Sequence, residues 1–113
     1  MDYLFEKAWN ETVSRISASF GEKLDYGAIL FLIGVQELGK DYQPYKKDQK
    51  VELMHVGICS LLVPYGYYEF IGRDDDGWPH FERKAQLPPL SAVEQELLVK
   101  KAIVNYFAEK QEL

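Results

Sequence analysis

Three side chains capable of acid–base or metal chemistry lie close together in the sequence. Glu52, His55 and Cys59 are separated by three and four residues, so in a helix they lie on one face. Carboxylate, imidazole and thiolate groups are zinc ligands, and a Cys–His pair can also activate a thiolate nucleophile. The favoured interpretation is structural, with Cys59 as a small core residue and His55 at a helix boundary. A metal site and a nucleophile are the two alternatives.

A second set of polar residues follows about twenty positions later, in and after an Asp-rich turn. The turn has the composition of a calcium loop, but Pro79 and Ala85 stand where such a loop needs its glycine and its bidentate glutamate. We therefore favour a solvated turn, with a loosely held cation at Asp74 and Asp76 as the alternative. A polar pocket between the third helix and the following hairpin would draw on Glu37, His55, Cys59 and His80.

Aromatic residues are concentrated in one segment. They make up 14% of the chain, and six of them fall within residues 65–81. Alternate residues of a strand face opposite sides, so a two-stranded ribbon cannot bury all six against one helical layer. A small core against the helices, a dimer or partner interface, and a small-ligand pocket are the three interpretations, in that order. The six candidates are Tyr65, Tyr67, Tyr68, Phe70, Trp78 and Phe81.

Four segments have the apolar periodicity and the end signals of helices. They cover about residues 2–20, 25–38, 48–63 and 91–110. Residues 28–35 are apolar on every side, which predicts a buried central helix, with a buried parallel strand as the alternative. Gly27 and Gly34 share a face of this helix and would allow a neighbouring helix to approach closely. Asp48 is the expected N-cap of the third helix, and Ser91 with Glu94 forms a capping box for the fourth.

The remaining elements are the buried faces of the helices and a hairpin. The expected core positions are Val51, Met54, Ile58 and Leu62 on the third helix and Val93, Leu97, Val104, Phe107 and Ala108 on the fourth. Residues 67–71 and 78–82 favour strands around an Asp-Gly turn, and Pro79 restricts its strand to an edge. Pro88 and Pro89 predict a stiff joint before the last helix. The sequence therefore predicts a mostly α (α+β) single domain over residues 1–113, with about four helices packed with one β-hairpin inserted before the last helix.

Composition sets limits on location and partners. The chain has 113 residues, and 13 basic against 18 acidic side chains give a net charge of −5, which opposes nucleic-acid binding. Its single cysteine cannot pair within the chain, and no signal-peptide pattern or membrane-length apolar run is present. A cytoplasmic protein without a cofactor and without a membrane partner is expected.

Two sequence strings resemble a family of small uncharacterised Bacteroidetes proteins. They cover residues 29–39 (ILFLIGVQELG) and residues 65–69 through 76–82 (YGYYE and DGWPHFE). The resemblance implies a bacterial cytosolic setting and no particular activity. It also directs attention to Gln36, Glu37 and the strand that contains Trp78, Pro79 and His80.

The function predicted from these patterns is non-enzymatic. We expect a protein-interaction module, as a homodimer or with another protein, that uses the aromatic hairpin as its contact surface. The alternative is a small-molecule or metal-binding protein, with enzymatic activity as one version, whose site lies between the third helix and the hairpin.

Overall fold

The structure is a computed structural model, and it describes residues 3–40, 43–84 and 90–111. Its elements are α1 (Tyr3–Phe20), α2 (Tyr26–Leu38), α3 (Lys47–Leu62), β1 (Tyr68–Arg73), β2 (Pro79–Arg83) and α4 (Ala92–Gln111). The predicted mostly helical α+β class, with a hairpin before the last helix, is therefore confirmed. The expected joint at Pro88 and Pro89 lies outside the described residues. Within those residues, no helix combines the length and the apolar character needed to cross a membrane.

Contacts divide the chain into two compact units. The terminal unit comprises Met1–Tyr26 and Leu90–Leu113 and therefore holds α1 and α4, while the central unit, Gly27–Pro89, holds α2 from its second residue, α3 and the hairpin.

In the terminal unit, α1 contacts α4. The Trp9 and Tyr26 rings meet edge to face with centroids 6.5 Å apart, and the Lys100 ammonium lies over both rings. The Ser91 and Glu94 capping box is present, because each side chain accepts the other residue's backbone N–H, at 3.1 and 2.9 Å. The prediction that Val93 and Leu97 are buried is wrong, since they are 76% and 39% exposed. The buried positions of α4 are Val99, Ala102 and Ile103.

In the central unit, the apolar segment of α2 is helical rather than a strand. Ile29, Leu30 and Ile33 are buried, and α2 ends at Leu38. Gly39 follows it with a φ of 75°, the left-handed conformation that glycine adopts readily. The N–H of Gly39 donates to the carbonyl of Val35 at 3.2 Å, which satisfies one of the final carbonyls of the helix.

α2 and α3 approach each other through two glycines. A Cβ on Gly34 would overlap the carbonyl oxygen of Leu53, and a Cβ on Gly57 would lie 2.5 Å from the carbonyl oxygen of Leu30. The predicted close approach at Gly34 is thus present, and Gly57 provides the matching position on α3. Only residues without a side chain leave room for backbones at this separation.

This contact decides which face of α3 is buried. The core positions expected from the sequence are partly wrong, because Val51 is 61% exposed while Leu53 is fully buried. Asp48 does not cap the helix either. Lys46 precedes the first turn, and its backbone N–H donates to the Gln49 side chain at 2.9 Å. The buried residues of α3 are Leu53, Val56, Gly57, Cys59, Leu61 and Leu62.

The hairpin is antiparallel and contains a bulge. Phe70 pairs with Phe81 and Gly72 pairs with His80, so Ile71 has no partner on β2. Both strands contact α3. Since an isolated hairpin is marginally stable in water, these contacts help to keep it folded.

Replacing Gly34 with alanine tests the helix contact. In an ordinary helix the Gly→Ala change gains about 1 kcal/mol, but here the added methyl group meets backbone, so we expect a loss of about 3 kcal/mol in the free energy of unfolding. Chemical denaturation measures it.

Gly39→Ala is the matched control. It adds the same methyl group at a left-handed position with nothing within 4 Å, so it should cost only about 1 kcal/mol. A Gly34→Ala variant as stable as the parent would contradict the close contact.

Candidate functional site

Arg73 fixes the position of the hairpin against α2. Its guanidinium donates to the carbonyl oxygens of Glu37 at 2.8 Å and Leu38 at 3.0 Å, and also to that of Gly77 within the hairpin at 2.8 Å. The carbonyls at the carboxyl end of a helix lack intrahelical partners and carry partial negative charge, so a cation there is stabilising. One side chain therefore joins the end of α2, the end of β1 and the turn.

The Asp-rich turn is organised around the carboxylate of Asp74. One oxygen accepts the backbone N–H groups of Asp76 at 2.9 Å and Trp78 at 3.0 Å, and the other lies 2.9 Å from Nε2 of His80. The hydrogen bond with His80, followed by the backbone donors, lowers the pKa of Asp74 below its usual value. The turn thus fixes His80 beside an ionised carboxylate.

On α3, the predicted helix face places its histidine and cysteine together. Nε2 of His55 lies 3.4 Å from Sγ of Cys59. Burial raises the pKa of the Cys59 thiol above its usual value, although a hydrogen bond with Tyr68 and the charge of Arg83 oppose the shift. The thiol is protonated at neutral pH and its residue is 1% exposed, so Cys59 lacks the exposed thiolate that a nucleophile requires.

The hairpin lies across this face of α3 and forms a cleft of about 290 Å³ with it. The cleft brings together His55, Cys59, Asp74 and His80 from the predicted polar set and three of the six predicted aromatic residues. Aromatic walls with a few polar groups are typical of ligand-binding sites. The lining residues are Glu52, His55, Val56, Cys59, Tyr68, Asp74, Trp78, Pro79, His80 and Phe81.

The other predicted site residues do not line the cleft. The carbonyl of Glu37 accepts a hydrogen bond from Arg73, and the carbonyl of Asp76 accepts one from Lys40. Phe70 is 49% exposed and contacts Phe81 edge to face, with ring centroids 5.8 Å apart. Tyr65 and Tyr67 belong to the segment between α3 and β1, where Tyr65 is 38% exposed.

Metal binding receives no support from the geometry. Within residues 3–40, 43–84 and 90–111, no group of three or more His, Cys, Asp or Glu side chains is arranged to hold a metal ion. The carboxylate of Asp74 is already engaged by two backbone donors and His80, as described above.

Comparisons with protein-family models, with curated proteins and with solved structures each find no match for this chain. Its resemblance to small Bacteroidetes proteins therefore stays a prediction.

Sequence reasoning missed two contributions to the site. Arg73 received no role, and nothing in its local pattern indicates that its side chain reaches the end of α2. Val56 was also not proposed as a lining residue. The signal for Val56 was present, since it follows His55 directly and lies one helical turn from Glu52.

Removing the charge of Asp74 tests the organisation of the turn. The pKa of Asp74 is lower in the folded protein than in the unfolded chain. Ionised Asp74 therefore stabilises the fold at pH values above the usual pKa of an aspartate, about 3.9, and this contribution is lost as the pH falls through the lowered pKa. In Asp74→Asn the free energy of unfolding should therefore decrease less steeply than in the parent as the pH falls below about 4. Denaturation curves across this pH range measure the difference.

Asp75→Asn is the control, because it removes the neighbouring charge from the same turn and Asp75 takes part in none of these hydrogen bonds. Its pH profile should follow that of the parent. Identical profiles for Asp74→Asn and the parent would show that Asp74 does not contribute to the turn.

Proposed function

We propose that the protein binds a small molecule in the cleft between α3 and the hairpin. The observation that supports this proposal is the convergence of Tyr68, Trp78 and Phe81 with His55 and His80 around one concavity. The aromatic side chains provide apolar contact area, and the imidazoles provide groups that can donate or accept hydrogen bonds.

The cleft has walls that are held in place before any ligand enters. Trp78 packs on a cluster formed by Leu38, Tyr45 and Leu53, and Phe81 packs on Phe70. A site whose side chains are already ordered loses little conformational entropy on binding. This organisation supports a binding role for the cleft.

Binding rather than catalysis is the proposed role. The Cys59 thiol is buried and its pKa is raised, which opposes thiolate chemistry. We also infer a cytoplasmic setting, because the single cysteine is a free thiol, as is usual in a reducing compartment. A bacterial source is implied only by the resemblance to small Bacteroidetes proteins.

A screen of small molecules against the isotope-labelled protein tests this function. The two tryptophans provide an internal comparison, since Trp78 lines the cleft and Trp9 lies in the terminal unit. Ligands should shift the indole N–H resonance of Trp78 and leave that of Trp9 unchanged. Ligands that bind only the native state should also raise its apparent stability, by about 2.7 kcal/mol at a hundredfold excess over Kd.

A blocking variant connects any binding to the cleft. His55→Tyr enlarges a lining side chain and should weaken binding about tenfold or more, because the larger ring then occupies part of a small volume. Lys50→Tyr adds the same side chain elsewhere on α3 and should bind normally. The proposal is wrong if no compound shifts Trp78, or if His55→Tyr binds every ligand as tightly as Lys50→Tyr does.

A second candidate function is self-association through the hairpin. Phe70 and Ile71 on β1 are 49% and 58% exposed, and Tyr65 is 38% exposed. Exposed apolar residues on an open strand edge favour pairing with another chain, and we propose a second copy as that chain.

Sedimentation velocity over a range of concentrations tests self-association. We expect a dimer at high micromolar concentration that Ile71→Ser weakens by about tenfold, the effect of removing roughly 1.4 kcal/mol of apolar contact. Val93→Ser removes an even more exposed apolar group from α4 and should leave the dimer intact. A monomer at all concentrations would exclude this function.

A further inference from the structure

We propose that the ligand of the cleft between α3 and the hairpin is a small organic cation, such as a quaternary or alkylated ammonium ion. This inference rests on the proposed binding function and specifies its ligand class. It follows from three properties of the cleft: its charged lining residues, its aromatic residues and its size.

The charged residues of the lining favour a cation. Glu52 and Asp74 are its carboxylates, and none of the described residues that line the cleft is Lys or Arg. Phosphate- and carboxylate-binding sites normally rely on those two cationic side chains. Asp74 is already paired with His80, so the charge that an anion would meet is chiefly that of Glu52, with no Lys or Arg among the described lining residues to offset it.

The cationic side chains at neighbouring strand positions do not neutralise the negative charge of the lining. Arg73 is bound to carbonyl oxygens, and Lys84 forms an ion pair with Glu69 at 3.0 Å. Arg83 is close enough to act on the Cys59 thiol through its charge, but it is not part of the lining. The net charge of −5 over the whole chain further favours the approach of cations.

The aromatic residues provide the attraction that distinguishes an organic cation from a simple ion. Tyr68, Trp78 and Phe81 contribute three aromatic rings to one cleft. The negative faces of aromatic rings attract ammonium groups, most strongly in Trp, and sets of such rings recognise quaternary ammonium ligands. Each ring has an independent support: Tyr68 hydrogen-bonds Cys59, Phe81 contacts Phe70, and Trp78 packs on the cluster around Leu53.

The volume of the cleft is sufficient for a ligand of this kind. About 290 Å³ is near the lower end of ligand pockets. It has room for about ten non-hydrogen atoms if each occupies ~30 Å³, the share of one molecule in liquid water. A choline-sized molecule fits this volume.

Choline and its carbon isostere, in which a carbon atom replaces the quaternary nitrogen, form the central comparison. They have the same shape, so a difference in affinity reports the charge alone. Pivalate is the anionic probe. Titrations followed at the Trp78 indole should give choline a Kd at least about fivefold lower than that of the neutral isostere, with pivalate weakest.

Charge variants locate the effect in the cleft. Glu52→Gln removes a lining carboxylate and should weaken choline about threefold without changing the affinity of the isostere, whereas Glu82→Gln, on β2 but outside the lining, should leave both affinities nearly unchanged. If the isostere or pivalate binds at Trp78 as tightly as choline, the cation inference is wrong and the binding function stands. If neither these probes nor any screened compound shifts Trp78, both are wrong.

Discussion

The cleft between α3 and the hairpin depends on the hydrogen bonds that the Arg73 guanidinium donates. A two-stranded ribbon has little stability of its own, and its bulge at Ile71 weakens the ladder further. The guanidinium of Arg73 offsets this by satisfying two carbonyls at the end of α2 while it also holds the turn. Because Arg73 ties both the end of β1 and the turn to the end of α2, the hairpin has a defined orientation. Trp78 then packs on Leu38, Tyr45 and Leu53. The cleft is a consequence of this anchoring, since its hairpin wall would otherwise have no defined position.

The other wall of the cleft is α3, and the face that α3 presents depends on how closely α2 and α3 pack. Gly34 and Gly57 allow backbone contact, which turns Leu53 and Val56 inward and leaves His55 and Glu52 on an accessible side of α3. An apolar stripe centred on Val51 and Met54 would have presented a different face to the hairpin. The buried face is thus set by where the smallest residues lie as well as by where the largest ones do, because the backbones of two helices can touch only at glycines.

Most elements specified by local chemistry were predictable from the sequence, although the expected Asp48 cap was wrong, whereas the buried faces of helices and the role of Arg73 were not. The capping box of α4, the glycine end of α2 and the Asp-Gly turn each involve residues a few positions apart, and all are present. The faces of α3 and α4 were misassigned, because helical periodicity constrains spacing but leaves the rotation of the helix to its neighbours. His55, Cys59 and His80 were proposed for one pocket and they line one cleft, but the side chain that arranges this, Arg73, acts across 36 residues.

The distribution of the aromatic residues follows from strand pairing. The register places Tyr68 opposite Arg83, Phe70 opposite Phe81 and Glu69 opposite Glu82. The aromatic strand residues therefore share one side of the ribbon, and the two glutamates lie on the other. Lys84 binds Glu69 and also lies near Glu82, which relieves the repulsion between these two carboxylates. The argument that a ribbon cannot bury six aromatic residues on one side therefore does not apply, since only Tyr68, Phe70 and Phe81 belong to the strands. Those three share one side of the ribbon, where Phe70 contacts Phe81. Trp78 reaches the cleft from the turn, so three aromatic residues, Tyr68, Trp78 and Phe81, line the cleft with His55 and Cys59.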